Sequence, residues 1–187
     1  MSLLAFCEWL AATEGSTALR ESLFMYPLVE STHVLFLLLF VGLTVVWDLR
    51  LLGWAFTGIP VTDMNDRVLP LVRIGFAVMV TTGVLLFYGI PVRTYQSVWF
   101  RGKVIFLVLA MINIWYFHTR VYPKAPAWNT DARLPWVARR AGLASLILWA
   151  LIIVFGRFIA YNWFDCDIQP QPALVNWFAG CVVPPVQ

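Results

Sequence analysis

The sequence predicts an all-α integral membrane protein, a four-helix bundle with a short N-terminal helix at the membrane interface. Of its 187 residues, 61% are apolar and only 12% are charged, whereas about a quarter of the residues of an average soluble domain carry a charge. The mean hydropathy is +0.78. Four segments approach the roughly 20 apolar residues that a helix needs to cross the hydrocarbon. Lipid is therefore the expected solvent of most of this surface.

The sequence divides into four spanning helices within a single membrane domain, residues 1–187. Their predicted bounds are about 25–52, 68–89, 98–121 and 134–161, with a C-terminal tail at 162–187. Pro60, Pro91 and the stretch 123–135 mark the breaks between them. Because these connections are short, consecutive helices are expected to run antiparallel as neighbours.

The first residues predict an interfacial helix and not a cleavable leader. Residues 1–13 contain Glu8 and no basic segment, which a secretory signal peptide would have. The apolar residues of this stretch instead recur at helical spacing, as in a helix that lies along the membrane surface. They are Leu3, Phe6, Cys7 and Leu10.

The basic residues predict the orientation of the bundle. Eight lie at one end, namely Arg50, Arg67, Arg73, Arg120, Lys124, Arg133, Arg139 and Arg140. Five lie at the other, namely Arg20, Arg93, Arg101, Lys103 and Arg157. Since cytoplasmic ends carry the excess of Lys and Arg, we expect a multi-pass protein of a bacterial inner membrane with both termini in the periplasm. The net charge of +3 is small, so nucleic acid is not an expected partner.

The cysteines exclude some functions and leave one pairing open. The three cysteines form no CxxC pair, so covalent haem and a thiolate zinc site have no support. Cys166 and Cys181 share the tail, where a disulfide is plausible if that tail faces an oxidising compartment. No serine triad, phosphate loop or zinc-binding histidine pair is present, so hydrolytic and nucleotide chemistry are not expected.

Nearly every polar residue of the first spanning helix is predicted to lie on one face. At steps of three and four residues this face comprises Tyr26, Glu30, His33, Leu37, Phe40, Thr44 and Asp48. Ionisable groups that face lipid are costly, so Glu30 and His33 are expected to point into the bundle. A neutral imidazole is a good ligand for haem iron or copper, and Glu30 could orient its second nitrogen. The alternative is a structural hydrogen bond without any cofactor.

Helical geometry places one residue of the third helix at the depth of His33. With a rise of about 1.5 Å per residue, His33 lies roughly 7 Å and Lys103 roughly 10 Å from the membrane centre on the same side. His118 lies roughly 12 Å to the other side, so one haem cannot bind both histidines. Lys103 must lose a proton before it can bind iron, which burial favours. Its alternative role is to extend to the headgroups, and that of His118 is interfacial.

Two arginines are candidates for pairing with an anionic group near His33. Arg157 lies near the end of the fourth helix, at the level where haem propionates would be expected, and guanidinium geometry suits carboxylates. Arg101 could take the same role. The alternative for Arg157 is an interfacial anchor or an ion pair with Glu30.

Several motifs resemble those of known families over nearly the whole chain. The run Glu30–His33, Gly42, the run Asp48–Gly53, the run Trp99–Lys103 and Asn113 resemble a group of uncharacterised bacterial four-helix membrane proteins. More distantly, the pattern looks like the small membrane-bound protoporphyrinogen oxidases and the copper-resistance D-type membrane proteins. The resemblance to the oxidases implies haem b and key roles for His33 and Lys103. Asp48 departs from the oxidase pattern.

The sequence therefore predicts a haem b-binding membrane protein with a redox or electron-transfer role. His33 would be the axial ligand and Lys103 a second ligand or a pocket group, with Glu30, Arg157 and Arg101 as further cofactor-binding residues. Electrons would pass to or from a periplasmic or membrane redox partner or a quinone. The alternatives are a porphyrinogen-oxidising enzyme, copper handling, and a cofactor-free accessory subunit of a larger complex; homo- or hetero-oligomerisation stays open.

Overall fold

The structure is a computed structural model that describes residues 2–161 and 163–182. Residue 162 and residues 183–187 of the predicted tail lie outside the described residues. The helices are α1 (Leu3–Ala11), α2 (Glu14–Glu21), α3 (Met25–Leu52), α4 (Val61–Gly89), α5 (Pro91–Tyr95), α6 (Val98–Tyr116), α7 (Trp136–Phe158) and α8 (Ala173–Ala179). A π-helical turn, Phe117–Val121, and a 3₁₀ helix, Tyr122–Ala127, continue α6.

Four of these segments are long and apolar enough to cross a membrane: Met25–Leu52, Val61–Gly89, Val98–Ala127 and Trp136–Phe158. The predicted all-α, four-helix membrane fold is thus confirmed. Large apolar side chains remain exposed along these helices, including Leu38, Ile74 and Ile112. In a multi-pass membrane protein such surfaces contact lipid.

The second spanning helix begins earlier than the sequence predicts. α4 starts at Val61, directly after Pro60, and the Val61 amide donates to the carbonyl of Asn129 at 3.0 Å. This bond satisfies one of the amides that every helix N-terminus leaves without an intrahelical partner. Pro70 lies inside α4 and does not end it, as neighbouring helices in a membrane often allow.

The bundle is held by aromatic and aliphatic packing at mid-depth. α3 packs against α4 and α7, and α6 packs against α7. Phe40, Ala110, Trp149 and Ile152 form a buried cluster between them. The Phe40 and Trp149 rings meet edge to face with centroids 4.7 Å apart, a favoured aromatic arrangement.

The short helices gather at one end of the bundle, which we call the cap end: the start of α3 with α1, α2, α5 and α8. The Ser16 hydroxyl donates to the Tyr88 carbonyl at 2.7 Å, which ties α2 to the end of α4. Cys166 and Cys181 form a disulfide that closes the tail around α8. The cap end therefore carries an ordered layer beyond the spanning helices.

The opposite end, which we call the loop end, consists of residues 53–60 and 117–135. The fully buried Arg50 joins its two connections, because Nε donates to the Ile59 carbonyl at 2.8 Å and Nη2 to the Asn129 and Asp131 carbonyls at 3.3 and 3.2 Å. Gly53 ends α3 with φ +72°, and a Cβ there would lie 2.8 Å from the Ala132 carbonyl oxygen. Glycine adopts this conformation without steric cost.

Candidate functional site

The hydrogen bonds of His33 define which of its nitrogens is free. His33 is half-buried on α3, and its Nδ1 lies 2.8 Å from the Thr82 hydroxyl oxygen on α4. That hydroxyl also lies 2.7 Å from the Val78 carbonyl. With the hydroxyl hydrogen assigned to the Val78 carbonyl, which can only accept, Thr82 accepts from Nδ1–H. In the neutral tautomer of this assignment, the Nε2 lone pair has no hydrogen-bond partner among the described residues.

The structure corrects the position expected for Glu30. Glu30 is exposed, so the expectation that it points into the bundle is wrong, and Thr82 takes the orienting position predicted for it. The physical reason is its place in the first two turns of α3, close to the cap end, where a carboxylate reaches water and headgroups. Its charge acts on Tyr26, one turn earlier.

Lys103 lies near His33, as the depth calculation predicts. Its side chain is half-buried, and its charge acts on the His33 ring. Within the described residues it has neither a hydrogen bond nor an ion pair. Two glycines make room for these side chains: a Cβ at Gly156 would lie 3.3 Å from Lys103 Nζ, and one at Gly83 would lie 3.4 Å from His33 Cε1.

The two predicted arginines have other partners at the cap end. Arg101 donates from Nε to the Tyr95 carbonyl at 3.0 Å and from Nη1 to the Phe178 carbonyl at 2.7 Å, so it fixes α8 to the bundle. Arg157 is exposed, and its guanidinium lies over the Tyr161 ring at 5.2 Å from the centroid. The structure therefore brings together His33 and Lys103 but gives Arg101 a structural task.

A second polar site, which the sequence analysis did not identify, lies towards the loop end. A partly open cavity of about 120 Å³ is lined in part by Asp48, Asn65, Asn113, His118 and Ser145. These side chains come from α3, α4, α6, the π-helical turn and α7. In the sequence, Asp48 on the polar face of the first helix was the one sign of this site. The other polar side chains of the cavity come from different helices and form no motif with Asp48.

His118 belongs to this cavity, which neither His33 nor Lys103 lines. A second, open groove of about 510 Å³ lies between α6 and α7 and is lined by Leu109, Ile112 and Tyr116 among others. His33 does not line this groove either. Among the described residues, no three His, Cys, Asp or Glu side chains cluster as a metal site.

Residues 22–162 match the model of a family of unknown function, DUF6644. The chain belongs to this family. The DUF6644 match spans all four membrane helices and includes His33, Lys103 and Asp48, and it excludes α1 and α8. Comparison with curated proteins and with solved structures gives no match. The likeness to protoporphyrinogen oxidases and copper-resistance proteins stays a prediction.

Proposed function

We propose that this protein binds one haem b in the cap half of the bundle and has a redox or electron-transfer role. His33 is the axial ligand, and Lys103 is the second ligand or a pocket group. Haem iron supplies one-electron redox chemistry. The partner is a quinone or a redox protein at the membrane surface.

The observation that carries this proposal is the state of the His33 imidazole. With Nδ1–H assigned to the Thr82 hydroxyl, the Nε2 lone pair has no partner among the described residues. This is the arrangement of metal-binding histidines, whose second nitrogen donates to an oxygen that fixes the ring and its tautomer.

The surroundings of His33 fit such a group in part. Gly83 and Gly156 let the imidazole and the Lys103 side chain pack closely against α4 and α7. Both side chains are only partly buried, so a ligand would have access to them. Of the two arginines, Arg157 keeps an exposed guanidinium at the cap end that suits a carboxylate.

The alternatives gain less support. Porphyrinogen oxidation calls for a large lateral cavity beside the haem, but the lateral groove between α6 and α7 lies elsewhere. Copper handling calls for histidines and methionines along a path, and His33 and His118 line no common cavity. An accessory subunit without a cofactor would leave the His33–Thr82 contact with a stabilising role alone.

The test is the visible absorption spectrum of the detergent-purified full chain from haem-replete cells, oxidised and then reduced with dithionite. We expect a Soret band and sharp reduced α and β bands. They should be lost in His33→Ala and retained in His118→Ala, which is the matched control because it removes the other histidine. A Lys103→Met spectrum with altered band positions would identify the second ligand.

Two results would overturn the proposal. A colourless wild-type protein would leave metal handling or an accessory role. Equal loss of colour in His33→Ala and His118→Ala, with both variants eluting as the wild type in size-exclusion chromatography, would remove His33 as the specific ligand.

A further inference from the structure

Asp48 is the most deeply buried carboxyl in the described part of the chain, and it lines the partly open cavity. Its residue is 2% exposed, and its Oδ2 has no hydrogen-bond partner among the described residues. Ser145 lies beside the carboxyl and lines the same cavity. By a rise of about 1.5 Å per residue, Asp48 lies roughly 20 Å from His33 along α3. This site is therefore separate from the proposed haem site.

Several polar side chains around Asp48 donate to other groups, and none of the described ones donates to its Oδ2. The Asn113 amide nitrogen donates to the Ala141 carbonyl at 3.0 Å, and the Thr44 hydroxyl donates to the Phe40 carbonyl at 2.9 Å. The Asn65 amide nitrogen donates to Asp66 at 3.3 Å. The Thr44 hydroxyl has then used its one hydrogen, whereas each Asn amide keeps a second N–H. None of these donors reaches Asp48 Oδ2 among the described residues, so an ionised carboxylate would leave that oxygen unsatisfied, whereas a protonated one has an O–H to donate to the amide oxygens.

No charged side chain compensates an ionised Asp48. None of the described basic residues acts on its carboxyl. On its own helix, Arg50 is turned to the loop carbonyls. On α4, Arg73 acts on His118, and on α7 Arg139 lies closer to the loop end and does not line the cavity. An unpaired charge in hydrocarbon surroundings is expensive, so the neutral, protonated form is the stable one.

The cavity gives this proton a route. A buried water needs about 10–15 Å³ and polar partners, so a cavity of about 120 Å³ has room for several waters beside its polar side chains. His118 lines the same cavity and is half-buried in the π-helical turn. π-helical turns occur frequently at functional sites. The imidazole thus stands between the cavity and the loop end.

We propose that Asp48 is a proton-binding site, protonated at rest, which exchanges its proton with cavity water and passes it to the loop end through His118. The proton leaves the carboxyl oxygen for a water or an imidazole nitrogen, and the reverse transfer restores the acid. The site serves proton uptake or release on one side of the membrane. It does not depend on the proposed haem.

The test is infrared spectroscopy of the full chain in lipid at neutral pH. We expect the carbonyl band of a protonated carboxyl, shifted in D₂O, lost in Asp48→Asn and retained in Asp63→Asn, an exposed carboxyl of the same end. Should Asp48→Asn fail to fold, the wild type is treated with a hydrophobic carbodiimide, which attacks protonated carboxyls, and mapped by mass spectrometry. The labelling of Asp48 should then decrease as the pH rises.

Three results would overturn the proposal. The first is a wild-type spectrum without the band at neutral pH. The second is loss of the band or of labelling when sodium replaces choline, because the site would then hold a metal cation. The third concerns the route of the proton. After a pH jump, His118→Gln should slow the change of the band severalfold and leave its final amplitude unchanged. An unchanged rate would show that the proton does not pass through His118.

Discussion

At the scale of single residues, two adjacent threonines show how position decides function. Thr81 and Thr82 both donate to the carbonyl four residues earlier, at 2.9 and 2.7 Å. Thr81 is exposed, whereas Thr82 is buried and accepts from His33. Local sequence gives the two hydroxyls the same intrahelical bond, and the packing of α3 on α4 gives only one of them a partner.

Thr82→Val should destabilise the protein by about 1–3 kcal/mol, because it leaves the half-buried Nδ1–H of His33 without an acceptor while keeping the side-chain shape. Thr81→Val is the matched control and should be close to neutral. Unfolding in mixed detergent micelles measures both. Equal losses in the two variants would mean that the bond to His33 contributes nothing.

The sequence predicted His33 and Lys103 at one depth because helical rise alone sets depth. It misplaced Glu30, because a position near the helix end can face water even on the polar face. It did not identify Thr82 as the partner of His33. That contact depends on the rotation of α4 against α3, which no periodicity within one helix determines.

At the scale of elements, glycine sets how closely α7 approaches α3. A Cβ at Gly142 would lie 3.0 Å from the Leu51 Cβ and 3.3 Å from the Asp48 carbonyl oxygen. Both atoms belong to the rigid first part of a side chain or to the backbone, so neither can move alone. Gly42 on α3 has nothing within 4 Å of the same position.

Gly142→Ala should therefore cost about 1–3 kcal/mol through overpacking, although alanine is the better helix former. Gly42→Ala should be neutral or stabilise α3 by up to about 1 kcal/mol. Thermal unfolding of the purified variants, followed by loss of the monodisperse size-exclusion peak, separates them. The same sign for both would show that helix propensity outweighs the contact.

Element type and most element ends were predictable from the sequence, whereas the start of α4 was not. Long apolar runs define the four spans, but α4 begins at Val61 because Asn129, far along the chain, accepts from its amide. The Arg50 side chain likewise joins two loops that are distant in sequence. The sequence marked Arg50 only as a basic residue at a helix end. Such ties depend on long-range contacts.

At the scale of the whole molecule, the two ends differ in charge and in covalent chemistry. The loop end carries the larger share of basic residues, and Lys and Arg are retained on the cytoplasmic side. The cap end carries the Cys166–Cys181 disulfide, and disulfides persist in oxidising compartments such as the periplasm. Both features agree with the predicted orientation, in which the proposed haem site would lie near the periplasm and Asp48 nearer the cytoplasm.

Labelling of intact cells with a membrane-impermeant maleimide tests this orientation. In a Cys7→Ser background, which keeps the native disulfide, we expect Ala18→Cys at the cap end to react and Ala132→Cys at the loop end to react only after the cells are opened. Both positions are exposed in the folded protein. A difference in labelling therefore reports the side of the membrane and not burial of the thiol. The reverse pattern would place the termini in the cytoplasm, and Asp48 would then exchange protons with the periplasm.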